Sequence, residues 1–174
     1  MDRETSARST ESLAFELVVR GILRRRALPL RSDIDLRRFR RFARWMAIAE
    51  PAPAEECIRI KLAGSGLYEF FRRDLTHTNY LDLVHPETKK RAHQRALAMI
   101  DRPCGLWQQT PIDTVETGAP PEVEFTVFPI VDDTSKAGQL ILFVHQAYTD
   151  TSGNPHALAL RQSQLWDDGF LLRR

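Results

Sequence analysis

Apolar residues near the start of the chain recur with helical spacing. Phe15, Val18, Val19, Ile22 and Leu23 fall at i, i+3, i+4, i+7 and i+8, so they line one face of a helix predicted over about residues 10–25. Gly21 inside that helix costs about 1 kcal/mol relative to alanine, so the helix needs a surface to pack on. Pro29 biases Leu28 to extended geometry, and Asp33 or Asp35 is placed to cap a short helix near Leu36–Phe42. The pattern then turns to strands. The first is predicted over Arg44–Ala49, ended by Pro51-Ala52-Pro53. The second covers Glu56–Ala63, with Ile58, Ile60 and Leu62 on one face and Arg59 and Lys61 on the other.

Helical turns occupy residues 65–84, and a longer helix runs from Pro86, favoured at a first helical position, to about Asp101. Its apolar face is Ala92, Ala96, Met99 and Ile100, and Pro103 stops it. Three more strands follow near Gly105–Val115, Glu122–Ile130 and Gln139–Tyr148. In the middle one Val123, Phe125 and Val127 alternate with Glu122, Glu124 and Thr126, which predicts one wet face. The Asp132–Gly138 turn joins the last two as an antiparallel hairpin. The order predicts an α+β domain, a five-stranded antiparallel sheet with helices on one face. Three segments are expected: an N-terminal helix and arginine-rich connector over 1–43, the sheet domain over 44–148, and a linker and amphipathic tail over 149–174. Leu158, Leu165, Trp166, Phe170, Leu171 and Leu172 in the tail suit docking on the domain or on a partner.

Composition changes this picture little. At 174 residues with 43% apolar and 28% charged residues, the chain has room for one domain with a real core. No run approaches the roughly 18 apolar residues of a membrane span, and the first residues lack a secretory signal, so a cytoplasmic location is expected. Two cysteines, Cys57 and Cys104, are too few for a disulfide framework or a four-cysteine zinc site. The net charge of +2 hides an asymmetry: residues 1–75 carry 16 basic and 11 acidic side chains, residues 76–174 carry 9 and 12. Nine arginines between Arg24 and Arg44 face only Asp33 and Asp35. Such a segment suits phosphate, an acidic partner or an anionic membrane surface, with nucleic acid a minor alternative. The plainer reading is a solvated surface, since 21 arginines accompany only four lysines and nothing like a recognition helix goes with them.

One stretch is more specific. Leu28-Pro29-Leu30-Arg31-Ser32-Asp33-Ile34-Asp35 is followed by a strand ending in Leu62-Ala63-Gly64, then by a helix closing on Arg72-Arg73-Asp74-Leu75-Thr76-His77. These residues resemble, in order and spacing, a bacterial PAS family with a Leu-Pro-x-Arg-x-Asp-x-Asp connector, often found as single-domain proteins. In that family the last motif is Gly-x-Asp-Leu-Thr-Gly-like, and here both flanking glycines are replaced. The resemblance spans roughly residues 11–148. It implies a non-catalytic sensory module that binds a small molecule or a regulatory protein between sheet and helices, and that dimerises through its N-terminal helix. Phe15, Val18, Val19, Ile22 and Leu23 are then the expected interface. Trp107, Phe125 and Phe143 are expected to line a pocket, with Tyr80 and His93 as polar contacts. Large aromatics at such positions are more often plain core.

The cofactor remains open. A flavin-adduct photosensor of this fold needs a cysteine in an Asn-Cys-Arg-Phe-Leu-Gln setting, which is missing. Haem in such domains hangs from a histidine on the longer helix, where His93 sits with His85 at its start, but an exposed helix histidine is the simpler expectation. His77, His85 and His93 are eight apart, which is no helical ligand spacing, and no metal site is expected. A competing architecture of this size is the cone-shaped α+β barrel of small dehydratases and isomerases, in which Asp82 with His85 or His145 would act as acid and base. No Ser–His–Asp order, phosphate loop or dinucleotide fingerprint supports an enzyme.

Overall fold

The computed structural model describes residues 8–23, 28–111, 122–146 and 164–166. Two hairpins supply the sheet. The first joins β1 (Met46–Ala52) to β2 (Cys57–Ala63); the second joins β4 (Glu122–Val131) to β5 (Gly138–Gln146). With β3 (Gly105–Pro111) the order is β2-β1-β5-β4-β3, all pairs antiparallel. Between the hairpins run α2 (Ser65–Phe71) and α3 (Lys89–Asp101), with short 3-10 turns at Tyr80–Leu83 and Pro86–Thr88. A three-residue β6 (Gln164–Trp166) from the tail pairs with the outer edge of β3.

Helices α2 and α3 cover one face of the sheet, the inner face. Ile60 and Ala49 from the first hairpin, Phe125, Val127 and Leu142 from the second, and Leu67 and Met99 from the helices form its core. The outer face is covered by α1 (Thr10–Leu23) and residues 34–45. There Phe15 stacks on Phe143 at 5.2 Å between ring centres and meets Phe42 edge-on at 5.4 Å. Phe15 and Val19 are wholly buried against the chain's own sheet, and Val18 and Ile22 pack beside them. The surface that the glycine-containing helix needs is therefore supplied from within the chain. As placed, Phe15 and Val19 are not open to a second copy; the side chain of Leu23 lies outside the described residues.

Three local departures from the predicted pattern have physical causes. Pro51 does not end β1 but lies opposite Ile58 within it. Beyond Ala49, β1 pairs with β2 alone, so a residue without an N–H is tolerated there. Leu62 does not share the face of Ile58 and Ile60. The register slips between Ile48↔Leu62 and Ala49↔Ile60, an extra residue at Lys61 reverses the alternation, and Leu62 ends 44% exposed. Third, the predicted wet face of β4 is dry: Glu124 and Thr126 are buried beneath α1.

The turn after α2 keeps a glycine-type backbone without glycine. Arg72 and His77 have φ of 52° and 66°, in the left-handed region, at the two positions where the resembled motif has glycines. Gly64 is needed for a different reason: a Cβ there would lie 2.1 Å from the Ala43 carbonyl oxygen and 2.5 Å from that of Arg44.

Candidate functional site

Between the helices and the inner face of the sheet the packing leaves two adjoining lobes with cavity volumes of about 40 and 30 Å³, the first under α3 and the second under α2. Tyr80, Phe125 and Leu142 line both, so the edge-on pair of Tyr80 and Phe125, 5.9 Å between ring centres, stands at the junction. The second lobe is walled by aliphatic and aromatic carbon from α2, β1 and β2, and Tyr80 carries its one polar side chain. The first lobe includes Ile58, Met99, Leu106 and Leu140, but also Arg95 and Gln108.

Local structure explains how these groups are held. Asn79 caps the 3-10 turn that carries Tyr80, its Oδ1 accepting from the Leu81 N–H at 3.1 Å. The same oxygen accepts from Ile58 N–H of β2 at 2.9 Å, so the Tyr80 turn is stitched to the sheet. The Tyr80 hydroxyl has no hydrogen-bond partner among the described residues, and burial pushes its ionisation well above the usual phenol range. Arg95 lies on α3 between Ala92 and Met99, three residues after the one and four before the other, and so faces the lobe with them. Its Nη1 donates to the Gln108 amide oxygen at 3.4 Å, and among the described residues no carboxylate pairs with it. Burial, and secondarily the like charge of Arg91, lowers the Arg95 pKa.

Of the residues expected at the pocket, Tyr80 and Phe125 are brought together there. Trp107 and Phe143 are not. Trp107 pairs across the sheet with Thr126 and Thr126 with Phe143, which puts all three on the outer face. His93 is not the exposed helix histidine expected. It precedes Ala96 by three residues, is buried, and bonds through Nε2 to the Ala52 carbonyl oxygen at 2.9 Å, away from both lobes. A histidine with that nitrogen bound to backbone offers only Nδ1 to a metal. Arg95, Gln108 and Asn79 were missed by sequence reasoning. A charge lying within the Ala92–Ala96–Met99 stripe was the available signal for Arg95.

The outer face carries a buried polar cluster. Glu124 accepts hydrogen bonds from Trp107 Nε1–H, from the Ser9 hydroxyl and from the Ser9 N–H at 3.0 Å. Beside it the Ser12 and Thr126 hydroxyls share a hydrogen bond of 2.6 Å. This cluster ties the start of α1 to β3 and β4. Glu16 pairs with Arg20 of the same helix at 2.6 Å and with Arg8, just before it, at 2.5 Å.

The acid–base pairs considered for an enzyme are not assembled. Asp82 is exposed and lies 3.9 Å from Lys89 Nζ, while His145 lies on the outer face of β5, 4.0 Å from Glu11. His85 is exposed beyond the 3-10 turn. Among the described residues no three His, Cys, Asp or Glu side chains gather as a metal site would require. Cys57 opens β2 and Cys104 precedes β3; neither is in a disulfide or on a helix. No described helix is long and apolar enough to cross a membrane.

The family model described as PAS domain (PAS_5) matches residues 8–141. No curated protein matches the chain. Similar solved structures include a light-oxygen-voltage domain studied with a flavin analogue, at 14% identity over 60% of this chain and 78% of that one, TM-score 0.46. A fungal LOV domain photoreceptor matches at 12% identity over 59% and 74%, TM-score 0.44. The light-state structure of Aureochrome1 LOV matches at 16% identity over 64% and 88%, TM-score 0.44. Likeness at this level carries no functional weight.

Proposed function

This chain belongs to the PAS domain family, and we propose that it works as a non-catalytic sensory module whose ligand binds in the two lobes between the helices α2 and α3 and the inner sheet face. The observation that carries this reading is the lining of the first lobe: an apolar wall to which Tyr80, Gln108 and Arg95 also contribute, with Arg95 donating to Gln108 at 3.4 Å. Ligand sites are usually of this kind, mostly apolar with a few placed polar groups. The lobes are narrow, so a ligand of more than a few heavy atoms has to displace the Tyr80–Phe125 pair.

Adjacent residues of β3 and β4 connect this site to α1. Gln108 and Phe125 face the cavity, whereas their neighbours Trp107 and Glu124 face outward, where Trp107 donates to Glu124 and Glu124 holds Ser9, the residue before α1. A ligand that shifts the inner pair shifts the outer pair with it, and α1 is the element that carries the signal away. Partner binding, as a homodimer or with a regulatory protein, then falls to the outer surface of α1, where Leu13 and Leu17 are 48% and 69% exposed. The basic segment is a second candidate docking surface. Arg37, Arg38, Arg40, Arg41 and Arg44 are exposed around the buried Phe39 and Phe42; Arg44 pairs with Glu69 at 2.7 Å, and Arg24–Arg26 lie outside the described residues.

Methyl NMR tests the cavity directly. On addition of the low-molecular-mass fraction of a cell extract, resonances of Ile58, Met99, Leu106, Val127 and Leu142 are expected to shift together. Shifts confined to exposed methyls such as Leu13 and Leu17, or none at all, would overturn the reading.

A further inference from the structure

The sensory reading leaves the ligand's chemistry open, and the Arg95 end of the first lobe narrows it. Arg95 is half-buried at the wall of an apolar space, with the like-charged Arg91 nearby and no carboxylate pairing with it among the described residues. The Gln108 contact is long, at 3.4 Å, and supplies a neutral amide oxygen in place of a charge. A partly desolvated guanidinium with no counter-charge among the described residues gains when a planar anion accepts two of its N–H bonds. The neighbouring donors suit the same partner. The Tyr80 hydroxyl has no acceptor among the described residues, and the Gln108 amide has an NH₂ as well as the oxygen that meets Arg95. Beyond these polar groups the lining is carbon: Ile58, Met99, Leu106, Val127 and Leu140.

Resting on the sensory reading above, the geometry points to a small monocarboxylate with an apolar body as the ligand, its carboxylate held by Arg95, Gln108 and Tyr80 and its tail laid into the first lobe. As it stands the first lobe takes only the start of that tail; a longer one passes the Tyr80–Phe125 pair into the second. The apolar second lobe then sets the preferred tail length. A ligand with a cationic head is excluded by the same arginine.

Isothermal titration calorimetry of the full chain with hexanoate, hexanamide and hexan-1-ol separates this inference from the reading beneath it. Hexanoate is expected to bind at least tenfold more tightly than the other two. Arg95→Gln should bring hexanoate to parity with hexanamide, a loss of at least tenfold in the ratio of their Kd values. Arg95→Lys keeps the charge without the planar fork and should retain part of the preference, a control that does not depend on the glutamine variant folding. If hexanamide and hexanol bind as tightly as hexanoate, or if the preference survives Arg95→Gln, the carboxylate inference is overturned and the cavity reading stands. If none of the three binds, both fall.

Discussion

Left-handed backbone at His77 shows how a single residue can hold a family turn at a cost. Its φ of 66° places Cβ against the following carbonyl, and the turn persists because the His77 N–H donates to the Ile60 carbonyl at 2.7 Å. Relief of that crowding by glycine is worth about 1–2 kcal/mol, less about 0.5–1 for the extra freedom glycine has when unfolded. His77→Gly should therefore raise stability by about 0.5–1 kcal/mol, read from the midpoint of a urea titration. An unchanged or lower midpoint would mean that the imidazole makes up for the strain. The positive φ was legible only as an oddity, two glycines missing from a motif. A sequence shows which residue stands at a position, but not whether the surrounding bonds compel the backbone shape that glycine favours.

At the scale of elements, the outer face decides what α1 does. The helix and its apolar stripe were readable from spacing, because Phe15, Val19 and Ile22 follow the helical period whatever they pack against. The partner was not readable, since an apolar face is the same whether it meets a second copy or the chain's own sheet. Glu124 and Thr126 misled in the same way: polar side chains at alternate positions imply water, and here Ser9, Ser12 and Trp107 take water's place. Glu124→Ala leaves the Trp107 and Ser9 donors without their acceptor beneath the helix. It should cost about 2–4 kcal/mol. Hydrogen exchange should accelerate first in α1, with α3 amides unchanged until global unfolding. Uniform acceleration across both helices would show that the cluster supports the whole fold and not the attachment of α1. Glu124→Gln, which keeps an acceptor, should be milder.

Across the whole molecule, the sheet separates two cores with different tasks, and the strand order follows from its hairpins. Antiparallel ribbons divided by helices were legible from periodicity and turn residues, so the α+β architecture and the inner-face position of α2 and α3 came from the sequence pattern alone. The site was half legible. Tyr80 and Phe125 were found because aromatic residues stand out; Trp107 and Phe143 were misplaced because which face a strand residue takes depends on register across β3, β4 and β5. Arg95 and Gln108, polar groups in the lining of the first lobe, resemble ordinary surface residues until the fold sets them beside Leu106 and Met99.

The claim that most of this depends on is that the space between α3 and the sheet is a ligand site and not a packing defect. Native mass spectrometry decides it, applied to the protein after exposure to a low-molecular-mass cell extract, beside an Ala96→Val variant whose two added methyl groups narrow the first lobe. The account predicts an excess mass on the unsubstituted protein that disappears on denaturation and is absent from the folded variant. An excess mass carried equally by both proteins, or by neither, would contradict it.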